Sequence, residues 1–113
     1  MKYLILITDT EAGRAVSGAD LEQWMGEIGA WYEKSAAAGR LADGGEQLDR
    51  PDRARTIRST GVTDGPYIES KEALGAFSVL EADSIDEAVE LARTWPGVDR
   101  GWVTIEVRPV MQM

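Results

Sequence analysis

Apolar residues fill both parities of the stretch from Tyr3 to Ile7, with Tyr3, Ile5 and Ile7 on one side and Leu4 and Leu6 on the other. That pattern predicts a strand buried on both faces and therefore central in its sheet. Asp9 to Gly18 reads as a polar loop. The period then changes: Leu21, Trp24, Met25, Ile28, Trp31 and Tyr32 form one helical stripe, with Ser17 or Asp20 as cap and Gly39 as stop. Gly26 and Gly29 weaken this helix by roughly 1 kcal/mol each relative to alanine, so packing must hold it, and close approach of another backbone is one reason to keep them. Arg40 to Pro51 predicts a short irregular or bulged edge strand. Thr56 to Asp64 predicts a hairpin turning near Gly61, and Ala76 to Leu80 a further strand. Ser84-Ile85-Asp86-Glu87 is a capping box opening a second helix that buries Ile85, Ala88, Val89, Ala92 and Trp95 and ends at Pro96-Gly97. Trp102 to Arg108 alternates as a last strand, closed by Pro109.

Strand, helix, two or three strands, helix, strand is the order of an α+β ferredoxin-like sandwich: an antiparallel sheet with two helices on one face, spanning residues 1–113 as a single domain. One helical layer leaves the other sheet face bare. Apolar residues on both faces of the first strand then call for a second cover, and another copy of the same sheet supplies it. The expectation is a homodimer in which two sheets meet or close into a dimeric α/β barrel.

Composition narrows the chemistry. The 113 residues include neither cysteine nor histidine, which excludes thiolate nucleophiles, imidazole zinc sites and histidine acid/base catalysis. Proton transfer must fall to carboxylates, lysine or tyrosine. The net charge of −8 argues against nucleic acid as a general partner. The apolar run at Met1 to Ile7 is too short for a signal peptide or a membrane span, so a cytoplasmic protein without membrane attachment is expected. Gly39 and Gly44 have P-loop spacing, but Gly45-Glu46 stands where Lys-Ser/Thr is needed. Neither a metal nor a cofactor is implied. Arg50, Arg53, Arg55 and Arg58 read either as solvated charges that discourage edge pairing or as an anion-binding rim.

The stretch Thr63 to Phe77 is the part that periodicity leaves unexplained. Asp64-Gly65-Pro66 has the chemistry of a turn, and Glu69, Lys71 and Glu72 place acid, base and acid close together. Met1-Lys2-Tyr3-Leu4, the run Thr63 to Glu72, Leu74-Gly75-Ala76-Phe77 and Ile105-Glu106-Val107-Arg108-Pro109-Val110 resemble the YCII-related family, in particular its DGPF branch, over essentially the whole chain. The resemblance implies a dimeric ferredoxin-like α/β barrel with a cleft between sheet and helices as active site. It also implies a His-Asp dyad, which a chain without histidine does not have, and relatives that include an enzyme acting on chlorinated hydroxyquinones. Some members of the branch are encoded near or fused to sigma factors. Tyr67 stands where the branch usually has Phe.

Two functions remain open. One is a small-molecule or partner-binding module without the dyad, with a sigma factor as a possible partner by family analogy. The other is a small lyase or isomerase using carboxylate chemistry on a ring or keto compound. Asp64 and Glu69 are the candidate catalytic carboxylates, with Asp64 equally readable as a turn former. Tyr3, Gly65, Pro66, Tyr67, Lys71 and Glu72 are the candidate ligand contacts. Glu69 and Lys71, two apart in an extended segment, face the same way and can present one charged pair.

Overall fold

The computed structural model describes residues 1–66 and 73–112, with only the backbone at positions 43 and 44. Its elements are β1 (Lys2–Asp9), α1 (Glu11–Arg14), α2 (Gly18–Ala37), β2 (Leu41–Gln47), β3 (Arg55–Arg58), β4 (Gly61–Asp64), β5 (Ala73–Glu81), α3 (Ile85–Arg93) and β6 (Val103–Pro109). The main sheet runs β2-β5-β1-β6 and every pairing in it is antiparallel. This is an α+β chain consistent with a ferredoxin-like fold. The sheet is open, with β2 and β6 at its edges, so no barrel closes within the chain.

The alternation in β1 does what its pattern predicts. Tyr3, Ile5 and Ile7 are buried and face the helices. Ile5 and Ile7 join Leu80, Trp24, Trp31, Trp95, Ala92 and Val103 in the main core, while Tyr3 packs with Ala82 and Ala88. The indole N–H of Trp24 donates to the Pro96 carbonyl at 2.9 Å and that of Trp31 to Thr94 Oγ1 at 2.9 Å, tying α2 to the segment after α3 without an orphaned donor. Leu4 and Leu6 point the other way. By register they lie beside Val79 and Phe77 of β5 and Arg108 and Glu106 of β6, a half-covered strip on the face opposite the helices.

Several expectations need correction. The supposed loop from Asp9 to Gly18 contains α1, capped by Thr10, whose hydroxyl accepts from Gly13 N. The second helix does begin with its capping box, Ser84 Oγ accepting from Glu87 N at 3.1 Å, but it stops at Arg93, and Ile85 is exposed. The hairpin forms, with Ile57 opposite Val62, yet β3 and β4 make their own two-stranded sheet apart from the main one. β2 is an edge strand with two register shifts, as a bulged strand should be. Gly26 and Gly29 meet nothing: a Cβ on either has open space within 4 Å among the described residues.

A glycine the sequence did not single out is under constraint instead. A Cβ on Gly13 would sit 2.1 Å from the Trp102 carbonyl oxygen, so α1 lies backbone against backbone on the approach to β6. Gly13→Ala is expected to lower stability by about 1–3 kcal/mol through overpacking. Gly26→Ala, in open space on α2, is expected to raise it by about 1 kcal/mol. Urea unfolding of the two variants checks both signs.

Candidate functional site

The stripe on α2 does not close fully onto the sheet. Between them lies a cavity of about 740 Å³, within the range of about 300–1,000 Å³ usual for small-molecule sites. Ile7, Gly75 and Ala76 form the sheet side. Leu21, Trp24, Met25, Ile28 and Tyr32 form the helix side, which explains why Leu21 and Met25 keep 38% and 45% of their surface despite their place in the stripe. Arg14 comes from α1, Glu46, Leu48 and Arg50 from β2 and the chain after it, and Trp95 completes the wall.

Asp9 is the acid in this wall that burial perturbs. It ends β1, two residues beyond Ile7 and so on the helix side of the sheet, paired with Val103 of β6 and Ala73 of β5. Between Ile7 and Thr8 the β5 partner jumps from Ala76 to Leu74, leaving Gly75 as the extra residue of a bulge. The Asp9 carboxylate occupies the space that a side chain there would take: a Cβ on Gly75 would lie 2.3 Å from Asp9 Oδ2. Partial burial pushes the Asp9 carboxyl above its ordinary value of 3.8, and the nearby Arg14 charge opposes the rise without cancelling it. Arg14 Nη1 donates to the Asp9 carbonyl at 3.3 Å, and its guanidinium has no ion pair among the described residues. Thr10 fixes the corner, its N–H donating to Trp102 O at 3.1 Å and its hydroxyl to Gly101 O at 2.7 Å.

A second polar group enters from α2. Tyr32 Oη accepts from Trp95 Nε1 at 3.3 Å and lies 2.6 Å from Ser78 Oγ. Among the described residues no group of three or more acids is gathered as a metal site.

The residues singled out from sequence lie elsewhere or outside the description. Asp64 ends β4, is 88% exposed and pairs with Arg55 at 3.2 Å. Gly65 adopts φ +96°, its N–H donating to Ala54 O at 2.9 Å and its carbonyl accepting from Thr56 Oγ1 at 2.8 Å, and Pro66 is exposed. Tyr3 is in the core, with its hydroxyl 3.9 Å from Met1 Sδ. None of these four lines the cavity. Tyr67, Glu69, Lys71 and Glu72 lie outside the described residues. Sequence reasoning missed Asp9, Arg14 and Tyr32. The available signal was an acid closing an otherwise apolar central strand, where the strand end opens onto the helix layer.

The raised Asp9 carboxyl has a definite linkage sign. The folded state holds the proton more tightly than the unfolded chain, so this group's contribution to stability is full below about pH 3.8 and is lost as pH rises through the folded value. Asp9→Asn is therefore expected to raise the melting temperature at pH 7 relative to the parent, with the gap closing toward pH 4. Thermal melts of both proteins across that range read it directly.

An uncharacterized protein of Rhizobium meliloti (strain 1021) is 31% identical to this chain over 114 residues, covering 97% of the chain and 92% of the relative. Among solved structures, 5-chloro-2-hydroxyhydroquinone dehydrochlorinase (TftG) from Burkholderia phenoliruptrix AC1100, in complex with 2,5-dihydroxybenzoquinone, superposes with a TM-score of 0.53 at 17% identity, covering 100% of this chain and 96% of that one. At that identity the likeness concerns the fold. The YCII-related domain matches residues 1–113, and the chain belongs to the YCII-related family.

Proposed function

We propose that this chain binds a small, mainly apolar molecule carrying ring or keto functions in the cavity between sheet and α2, and that Asp9 exchanges a proton with it, as in a small lyase or isomerase. The observation that carries this reading is a carboxyl with a raised proton affinity in the wall of an aromatic-lined cavity. Such a group is a stronger base than an exposed aspartate once ionised and a usable acid once protonated. Arg14, which makes no close ion pair among the described residues and whose charge already acts on Asp9, is placed to steady negative charge that develops when a proton leaves carbon or a halide departs. The activity named for the structural neighbour, a dehydrochlorinase, belongs to that reaction class. The role runs through Asp9, not a His-Asp dyad, because the chain has no histidine.

Asp64-Gly65-Pro66 supports assignment to the DGPF branch, and the sequence pattern keeps Glu69 and Lys71 as candidate groups for ligand chemistry beside Asp64. The half-covered strip of Leu4, Leu6, Phe77 and Val79 supports a homodimer. Sedimentation equilibrium at micromolar concentration is then expected to give about twice 12.3 kDa, and the monomer mass removes the dimer.

Chloride release from 5-chloro-2-hydroxyhydroquinone tests the chemistry. The parent is expected to release chloride above the buffer rate, and Asp9→Asn to reduce this by roughly 10²–10⁴-fold, as loss of a positioned acid or base does. Met25→Trp, which fills the cavity, is expected to abolish it. Equal rates in parent and Asp9→Asn remove the proton-transfer role. Absence of release from the parent leaves the non-catalytic binding module.

A further inference from the structure

Resting on the reading of the cavity as a ligand site, we propose that the cavity takes its ring compound as a monoanion. The ring sits among the apolar and aromatic side chains, and the anionic oxygen is held between Arg14 and Arg50.

The wall of the cavity is polarised along β5. At one end Tyr32 Oη meets Ser78 Oγ and Trp95 Nε1, and Leu41 stands opposite Leu80. The wall residues there, Tyr32, Leu41 and Trp95, carry no charge. At the other end three segments meet around Gly75. The Asp9 carboxylate takes the space of the missing Gly75 side chain, Leu48 N donates to Gly75 O at 2.7 Å, and Arg14 Nη1 donates to the Asp9 carbonyl at 3.3 Å. Arg50 follows Leu48 by two residues and borders the same cavity. Because β1 and β2 flank β5, Arg14 beyond β1 and Arg50 beyond β2 approach Gly75 from opposite sides.

The charge balance at that end calls for one negative group. Asp9, Arg14, Glu46 and Arg50 are the charged residues of the wall. Glu46 stands opposite Phe77, on the sheet face away from α2, whereas Gln47 stands opposite Ala76 on the cavity face, so the register turns the Glu46 carboxylate away from the arginines. Beyond the wall, Arg50 Nε lies 3.5 Å from Asp52 Oδ1, a contact between exposed side chains that contributes little and yields to a ligand. Asp49 accepts from Arg50 N and gives its other oxygen to Arg53, while Glu11 shares α1 with Arg14. Asp9 already holds its proton more tightly than an exposed aspartate, and an anion beside it strengthens that hold. The neutral carboxyl then donates to the oxygen that its carboxylate would repel. Two guanidinium groups and one acid proton thus face a single anionic oxygen, and a neutral ligand leaves the two like charges at the rim without a counter-ion. One ring with an acidic hydroxyl on its edge meets this arrangement, as the chlorinated triol used to test the chemistry does.

4-Nitrophenol tests the inference, because its phenolate and its neutral form absorb at different wavelengths, and 4-nitroanisole supplies the same ring without an ionisable group. Absorbance titration with saturating parent protein is expected to show the bound phenol losing its proton about one pH unit lower than the free phenol, a tenfold preference for the anion. Isothermal titration above that pH is expected to show the phenolate bound about tenfold more tightly than 4-nitroanisole. Arg14→Gln is expected to weaken the phenolate about tenfold and Arg50→Gln, at an exposed site, about threefold, both leaving 4-nitroanisole within about twofold. Arg14→Lys, which keeps the charge, is expected to recover part of the loss. Should Arg14→Gln not fold, Arg50→Gln, on the exposed chain after β2, carries the test alone. A phenol proton held as tightly or more tightly in the complex, equal affinity for the two probes, or a phenolate indifferent to either arginine substitution overturns the anion inference while the cavity still binds. Failure of both probes to bind the parent overturns the ligand-site reading and the inference with it.

Discussion

The contact on which the site depends is between a glycine and a carboxylate. Gly75 is the extra residue of the β5 bulge, and the missing side chain is what lets the Asp9 carboxylate lie against the strand. The same residue accepts a hydrogen bond from Leu48 N at 2.7 Å, so the chain leaving β2 is anchored at that point as well. One position therefore sets the register of the central strand pair, the environment of the acid and the path of the chain that forms the far wall. Bulges are common beside functional sites because they turn a strand without breaking the sheet.

Stability and function compete along α2. Trp24 and Trp31 are buried and spend their N–H groups on the segment after α3, while Leu21 and Met25, on the same stripe, face the cavity and stay partly wet. A helix that packed its whole stripe would be more stable and would leave no room for a ligand. Fixing α2 through indole hydrogen bonds at one side allows it to stand off the sheet at the other. Thr10 and Gly13 do the equivalent work beneath it, locking α1 onto the approach to β6 so that Asp9 and Arg14 cannot drift apart.

The sequence made the architecture legible because each element carried its period. β1 alternated apolar on both faces, the α2 stripe was continuous, and Ser84 with Glu87 marked the start of α3. The candidate site was much less legible. Periodicity reports which face of an element is apolar, and it cannot tell a side chain packed against a neighbour from one lining empty space, so Leu21, Met25 and Tyr32 looked like core. Asp9 looked like the start of a loop because nothing local shows that the strand continues to it. Asp64 drew attention through turn chemistry, and that chemistry is fulfilled in part by a surface ion pair with Arg55 and a left-handed Gly65.

The distribution of indoles has a practical consequence. Trp24 and Trp95 border the cavity, whereas Trp31 is held against Thr94 and Trp102 lies beneath the Arg100 guanidinium at 4.2 Å. Two emitters thus border the cavity, and Trp102 stacks edge-on against one of them, Trp24, at 5.0 Å. Occupancy changes the polarity around the first pair, which gives the protein an intrinsic optical signal for ligands that requires no label.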